Sequence, residues 1–102
     1  MYRASDEVEN ERWLADINEI GDRLDLDEAA RSRAADLFLS TVPDTDRSKR
    51  ATMAASIYVG ALIASDRRSQ GEVAEAAGVA RLTVQQRWKD LLEEAGLDAP
   101  DW

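Results

Sequence analysis

Cysteine and histidine are both absent from the 102 residues. Without thiols there is no disulfide, no thiol nucleophile and no zinc site built on thiolates. Without imidazole the commonest general base and the commonest metal ligand are gone. There is no glycine-rich phosphate loop and no metal-ligand spacing, so the chain is expected to be no enzyme and to carry no cofactor. No apolar run approaches the ~20 residues of a membrane span, so no membrane partner is expected. The opening MYRASDEVENER is polar and acidic, unlike a secretory leader. A soluble, cytoplasmic protein of one domain, residues 1–102, is expected.

Lysine is scarce as well. Only Lys49 and Lys89 stand beside eleven arginines, and acidic residues outnumber basic ones 21 to 13. A net charge of −8 argues at first against nucleic acid. Its distribution alters that: residues 1–45 carry net −7, residues 46–90 net +3 and residues 91–102 net −4. A mildly basic stretch thus sits inside an acidic chain, and local charge governs approach to DNA more than the total does.

What remains reads as all-α. Trp13, Ile17, Ile20 and Leu24 recur at helical spacing and predict a first helix over about 8–24. Glu9, Glu11, Asp16 and Glu19 fall largely off that face and read as solvated, not as paired catalytic carboxylates. Leu26-Asp27-Glu28 has the order of a staple residue, an N-cap and an acidic first turn. It opens a second helix over about 27–41, with Ala30, Ala34, Leu37 and Phe38 inward, Arg31 and Arg33 outward, and Pro43 as its stop. The third, over about 47–65, is apolar nearly all round and should be the central, buried helix. Its small residues, among them Ala54, Gly60 and Ala61, let neighbours come close. Arg47, Lys49 and Arg50 form a basic cluster at its start. That end of a helix favours anions, so a phosphate would suit the cluster, although Asp44 and Asp46 lie nearby.

The stretch from Ser69 to Leu91 carries the strongest functional signal. Ser69 and Glu72 form a capping-box pattern, Val73, Ala76 and Ala77 give an apolar stripe, and Gly78 can end the helix in the left-handed region. A last helix over about 81–95 places Val84, Trp88, Leu91 and Ala95 on one side. Ala74, Gly78 and Val84 sit where a helix-turn-helix wants a small residue, a turn glycine and an apolar residue facing back. An ordinary helical hairpin in a bundle fits the same spacing. Trp102 closes the chain as a packing plug or a partner contact.

The run AASIYVGALIASDRRSQGEVAEAAGVARLTVQQRWKDLL resembles the second cyclin-like repeat of archaeal transcription factor B, the relative of eukaryotic transcription factor IIB. The AAxIYxxAL helix, the RRSQxEVAEAAGV segment and the xTVxxRWKDL helix carry the likeness, which covers about residues 15–97. It implies a five-helix cyclin-like bundle with a C-terminal helix-turn-helix. It also implies promoter DNA beside the TATA box as ligand, with TATA-binding protein as companion. The resemblance covers a single repeat, so neither the family's zinc ribbon nor its other cyclin-like repeat is expected within these 102 residues. Where the family helix typically has Val-Thr-Ile-Arg, this chain has Leu82-Thr83-Val84-Gln85, and glutamine matches adenine better than guanine. The Asp-rich, Lys-poor surface resembles those of salt-loving archaea.

On this basis a regulator of transcription, associated with the nucleoid, is expected to read double-stranded DNA in the major groove. Leu82, Gln86 and Lys89, flanked by Thr83 and Gln85, would face the groove, and Arg81, Arg87 and Lys89, with Ser69 or Gln70, could hold phosphates. Arg47, Lys49, Arg50, Arg67 and Arg68 are further phosphate candidates. Because the acidic flanks oppose approach, a homodimer or another transcription factor would be needed for useful affinity. The alternative is an interaction module that docks on TATA-binding protein or another factor without reading DNA.

Overall fold

Apolar side chains at intervals of three and four force each amphipathic segment to bury one face, and the described residues meet this demand with five helices and one shared core. The computed structural model describes residues 10–94 and Gly96. The helices are α1 Glu11–Leu24, α2 Glu28–Ser40, α3 Asp46–Ile63, α4 Gln70–Ala77 and α5 Arg81–Glu94. There is no strand among the described residues. The start expected near Val8, the inward Ala95 and the terminal Trp102 lie outside the described residues.

α3 is the axis, in contact with all four other helices. Ten consecutive residues, Thr52 to Ala61, are buried. At Gly60 α3 crosses α2 so closely that a Cβ there would lie 2.7 Å from the Ala34 backbone nitrogen and 2.8 Å from the Ala30 carbonyl oxygen. No side chain fits between these backbones. Around this crossing α1 brings Trp13, Ile17 and Ile20, and α2 brings Ala34, Leu37 and Phe38. The rings of Trp13 and Phe38 sit 6.3 Å apart. On the far side Tyr58 meets Trp88 of α5 edge to face at 5.6 Å. Both pairs lie in the range where aromatic quadrupoles favour tilted or edge contacts.

Short-range chemistry sets the helix ends. Asp27, Thr45 and Ser69 each accept a hydrogen bond from the amide three residues on, those of Ala30, Ser48 and Glu72. Three helices stop alike, with one residue in the left-handed region: Asp25 after α1, Ser65 after α3 and Gly78 after α4. In each the next amide returns to a carbonyl five residues back: Leu26 to Gly21, Asp66 to Ala61, Val79 to Ala74. This is the Schellman closure, which satisfies carbonyls that a helix end leaves free.

One side chain departs from the sequence expectation. Arg31 is not turned outward but lies across Gly21 of α1, where an added Cβ would stand 2.8 Å from its Nε. Its Nε donates to the Leu26 carbonyl at 3.0 Å and its Nη1 to Asp22 Oδ1 at 2.6 Å. The bare surface of Gly21 and the carbonyl left exposed where the chain turns after α1 give a long guanidinium stem a better seat than water does.

Candidate nucleic-acid interface

α4 is eight residues long and is held at both ends. Ser69 Oγ accepts from the Glu72 amide at 3.1 Å, and the Ser69 amide donates to Glu72 Oε1 at 3.3 Å. Both partners of the capping box are thus in place. At the other end Gly78, at φ 73°, turns the chain toward α5. Val73, Ala74 and Ala77 face inward, and Val84, Trp88, Leu91 and Leu92 hold α5 against the same core. Ala74 and Ala77 are small, so the two helices pack closely across a turn of three residues.

The burial of one side of α5 decides what the other presents. Arg81, Leu82, Gln85, Gln86 and Lys89 are exposed, and Thr83 is half-buried beside them. Leu82 is 57% exposed, the more exposed of only two large apolar side chains so displayed among the described residues. This face offers two amides that can donate and accept at once, one ammonium and one apolar contact. Lys89 Nζ stands 5.5 Å from the centroid of the Trp88 ring. A Cβ on Gly71 would lie 3.9 Å from Arg81 Cδ, so the Arg81 stem runs beside the first turn of α4. That gathers Arg81, Ser69 and Gln70 at one edge of the pair. Ser69 Oγ is already an acceptor in its cap, which leaves the hydroxyl proton to donate.

The other candidate cations separate into different settings. Arg87 is half-buried, with Nη1 and Nη2 donating to the two carboxylate oxygens of Glu94 at 3.0 and 3.1 Å and Nη2 reaching Thr52 Oγ1 at 3.4 Å. Its fork is thus engaged within the fold. Arg68 is engaged too. Its Nε donates to the Leu24 carbonyl at 3.0 Å, Nη2 to the Asp25 carbonyl at 3.1 Å and Nη1 to Asp66 Oδ1 at 2.8 Å. Asp66 Oδ2 in turn accepts from the Asp27 amide at 2.9 Å. That amide, then the Arg68 guanidinium, hold the Asp66 carboxyl below its ordinary pKa of 3.8. The segment entering α4 is thereby tied to the turn between α1 and α2. Arg67 is exposed.

The cluster at the start of α3 splits. Lys49 is half-buried and lines a depression with Asn10 and the loop from Ser40 to Asp44. Arg47 and Arg50 are exposed and turn instead toward α1, where they share a depression with Arg12 and Trp13. Arg12 was not singled out from sequence. Nothing local marks it, because Arg47 and Arg50, which join it there, come from another helix.

Among the described residues no group of three or more Asp or Glu side chains could hold a metal ion. No helix among them is long and apolar enough to cross a membrane.

Residues 8–94 match the family model described as the transcription factor TFIIB repeat. The chain is similar to the protein named transcription initiation factor IIB of Pyrococcus abyssi, at 33% identity over 87 residues. That match covers 82% of this chain and 29% of that protein. Transcription initiation factor IIB 1 of Thermococcus kodakarensis matches at 33% over the same shares. Transcription initiation factor IIB of Methanothrix thermoacetophila matches at 40% over 52 residues, covering 51% of this chain and 15% of that protein. The chain therefore spans less than a third of the length of the relatives it matches.

Proposed function

The chain belongs to the transcription factor TFIIB repeat family, whose fold is cyclin-like and all-α, and on that premise we propose that it regulates transcription by binding promoter DNA through α4 and α5. In this reading the pair acts as a helix-turn-helix, and the first turns of α5 enter the major groove. The observation that carries the proposal is the exposed face of Leu82, Gln85, Gln86 and Lys89, set opposite the buried Val84, Trp88 and Leu91. Gln85 and Gln86 pair naturally with adenine N6 and N7, and Leu82 suits a thymine methyl. Ser69, Gln70 and Arg81, gathered at the edge of the pair, would take phosphates. Arg87 and Arg68 would contribute only by leaving the partners that now hold them. The protein would work in the cytoplasm, on the nucleoid.

A gel shift against a selected site tests this. Gln85→Ala with Lys89→Ala should abolish the specific complex while leaving the helical spectrum unchanged. Gln85→Arg should move the preferred base from adenine to guanine, with about 1–3 kcal/mol of discrimination at one position. Unchanged binding and preference in both variants would sink the DNA reading.

The exposed Leu82 side chain would also serve a second reading, docking on TATA-binding protein or another factor. Under it the chain captures that partner without DNA, Leu82→Ala weakens the capture, and no duplex is bound. A second copy of this chain is the remaining partner, readable by sedimentation.

A further inference from the structure

One patch lies outside the α4–α5 pair. Arg12 comes from α1, while Arg47 and Arg50 stand one turn apart at the start of α3. The Arg12 guanidinium carbon is 4.6 Å from the centroid of the Trp13 ring, and that of Arg50 is 5.5 Å from the same centroid. Trp13 is only 3% exposed, so the indole is a fixed platform with two guanidiniums against it. Arg47 completes the group, and all three line one shallow depression together with Asp16 and Asp46.

Three cations therefore face two carboxylates. Arg12 reaches Asp46 at 3.8 Å, with the two side chains 67% and 76% exposed. A pair this long and this wet is easily exchanged for a better anion. Like charges gathered on one ring repel one another, and an arriving anion relieves that repulsion. Arg47 and Arg50 belong to the stretch 46–90, which carries net +3, and Arg12 joins them from the net −7 stretch 1–45. Arg50 also lines an adjoining groove with Arg23, Asp16, Glu19 and Glu75, which runs past Met53 to Ala77 and Gly78, so one depression joins the patch to the turn between α4 and α5.

We propose that Arg12, Arg47 and Arg50 grip the sugar–phosphate backbone of the duplex whose major groove α5 enters. The proposal rests on the DNA reading above and adds a second contact, carried by α1 and α3. Planar guanidinium forks match phosphate oxygens, and contacts of this kind fix register without reading sequence.

The test is the salt dependence of binding by the whole chain to two duplexes of about two helical turns, one selected and one scrambled. In Arg12→Gln with Arg50→Gln, affinity should fall by the same factor on both duplexes. The slope of log K against log salt should shrink by about 2, since each phosphate contact contributes about 0.9. Arg33→Gln removes a similar exposed charge from α2, outside both depressions, and should leave the slope unchanged. A parental slope in the double variant overturns the proposal, as does an equal loss in Arg33→Gln. If Gln85→Ala with Gln86→Ala leaves specificity intact while the arginine variants still lose slope, the backbone grip stands and the assignment of α5 falls. Absence of binding to either duplex by the parent chain overturns both.

Discussion

Ser56 buries a hydroxyl completely, in the middle of α3, with no hydrogen-bond partner among the described residues. An unsatisfied hydroxyl in a dry core costs about 1–3 kcal/mol, which is more than its small volume returns in packing. Ser56→Ala should therefore stabilise the fold by about 1 kcal/mol, read as a higher urea midpoint at unchanged slope. Asp66 makes the opposite case, a charge that the fold rewards. Its pKa lies below 3.8 in the folded chain, so the folded form binds fewer protons than the unfolded form in that range. The resulting stability is fully present above about pH 4 and is lost as pH falls through the folded value. Asp66→Asn should lower the urea midpoint at neutral pH, and its gap from the parent should close on acidification below 3.8. A gap independent of pH would contradict this account.

At the scale of elements two of the helical glycines, Gly21 and Gly60, separate two kinds of contact. A Cβ at Gly60 meets the backbone of α2, which cannot move without parting the helices. Gly60→Ala should cost on the order of 2–3 kcal/mol or prevent folding, as overpacking does. A Cβ at Gly21 meets only the Arg31 side chain, which can swing away. Gly21→Ala should cost well under 1 kcal/mol, because alanine's higher helix propensity offsets the lost seat. Thermal melts of the two variants compare them directly. The same contrast explains what could be read from sequence. Spacing of Trp13, Ile17 and Ile20, the caps at Asp27 and Ser69 and the turn at Gly78 all depend on residues within one or two helical turns, so pattern reasoning reaches them. The exposed face of α5 was legible for the same reason, as the complement of Val84, Trp88 and Leu91. Arg31 over Gly21, Arg68 on the Leu24 carbonyl and Arg12 beside Arg50 were not. Each joins separate elements, and a charged residue on a helix surface has no period that betrays its partner.

For the whole molecule, charge and size set the terms of binding. The longest extent is 35 Å, close to one helical turn of B-form DNA. On the DNA reading proposed above, one copy would occupy a single major-groove segment and should protect about ten base pairs from cleavage. With net −8 and few cations free of internal partners, affinity should be weak and steeply salt-dependent. Filter binding on the isolated chain should give no nanomolar complex at high salt, and a tight one there would contradict the charge argument. Added partner, whether a second copy or another factor, should restore affinity by raising the effective concentration of the second contact.

The tie between Asp66 and the Asp27 amide also has a signature in time. Asp27 is exposed and precedes α2, where a loop amide would ordinarily trade its proton with solvent quickly. Held at 2.9 Å by Asp66 Oδ2, it exchanges only when the segment entering α4 lifts off. In deuterium this surface amide should outlast one that lacks such a bond. Its rate then clocks how often α4 and α5 come loose from the helices that carry them.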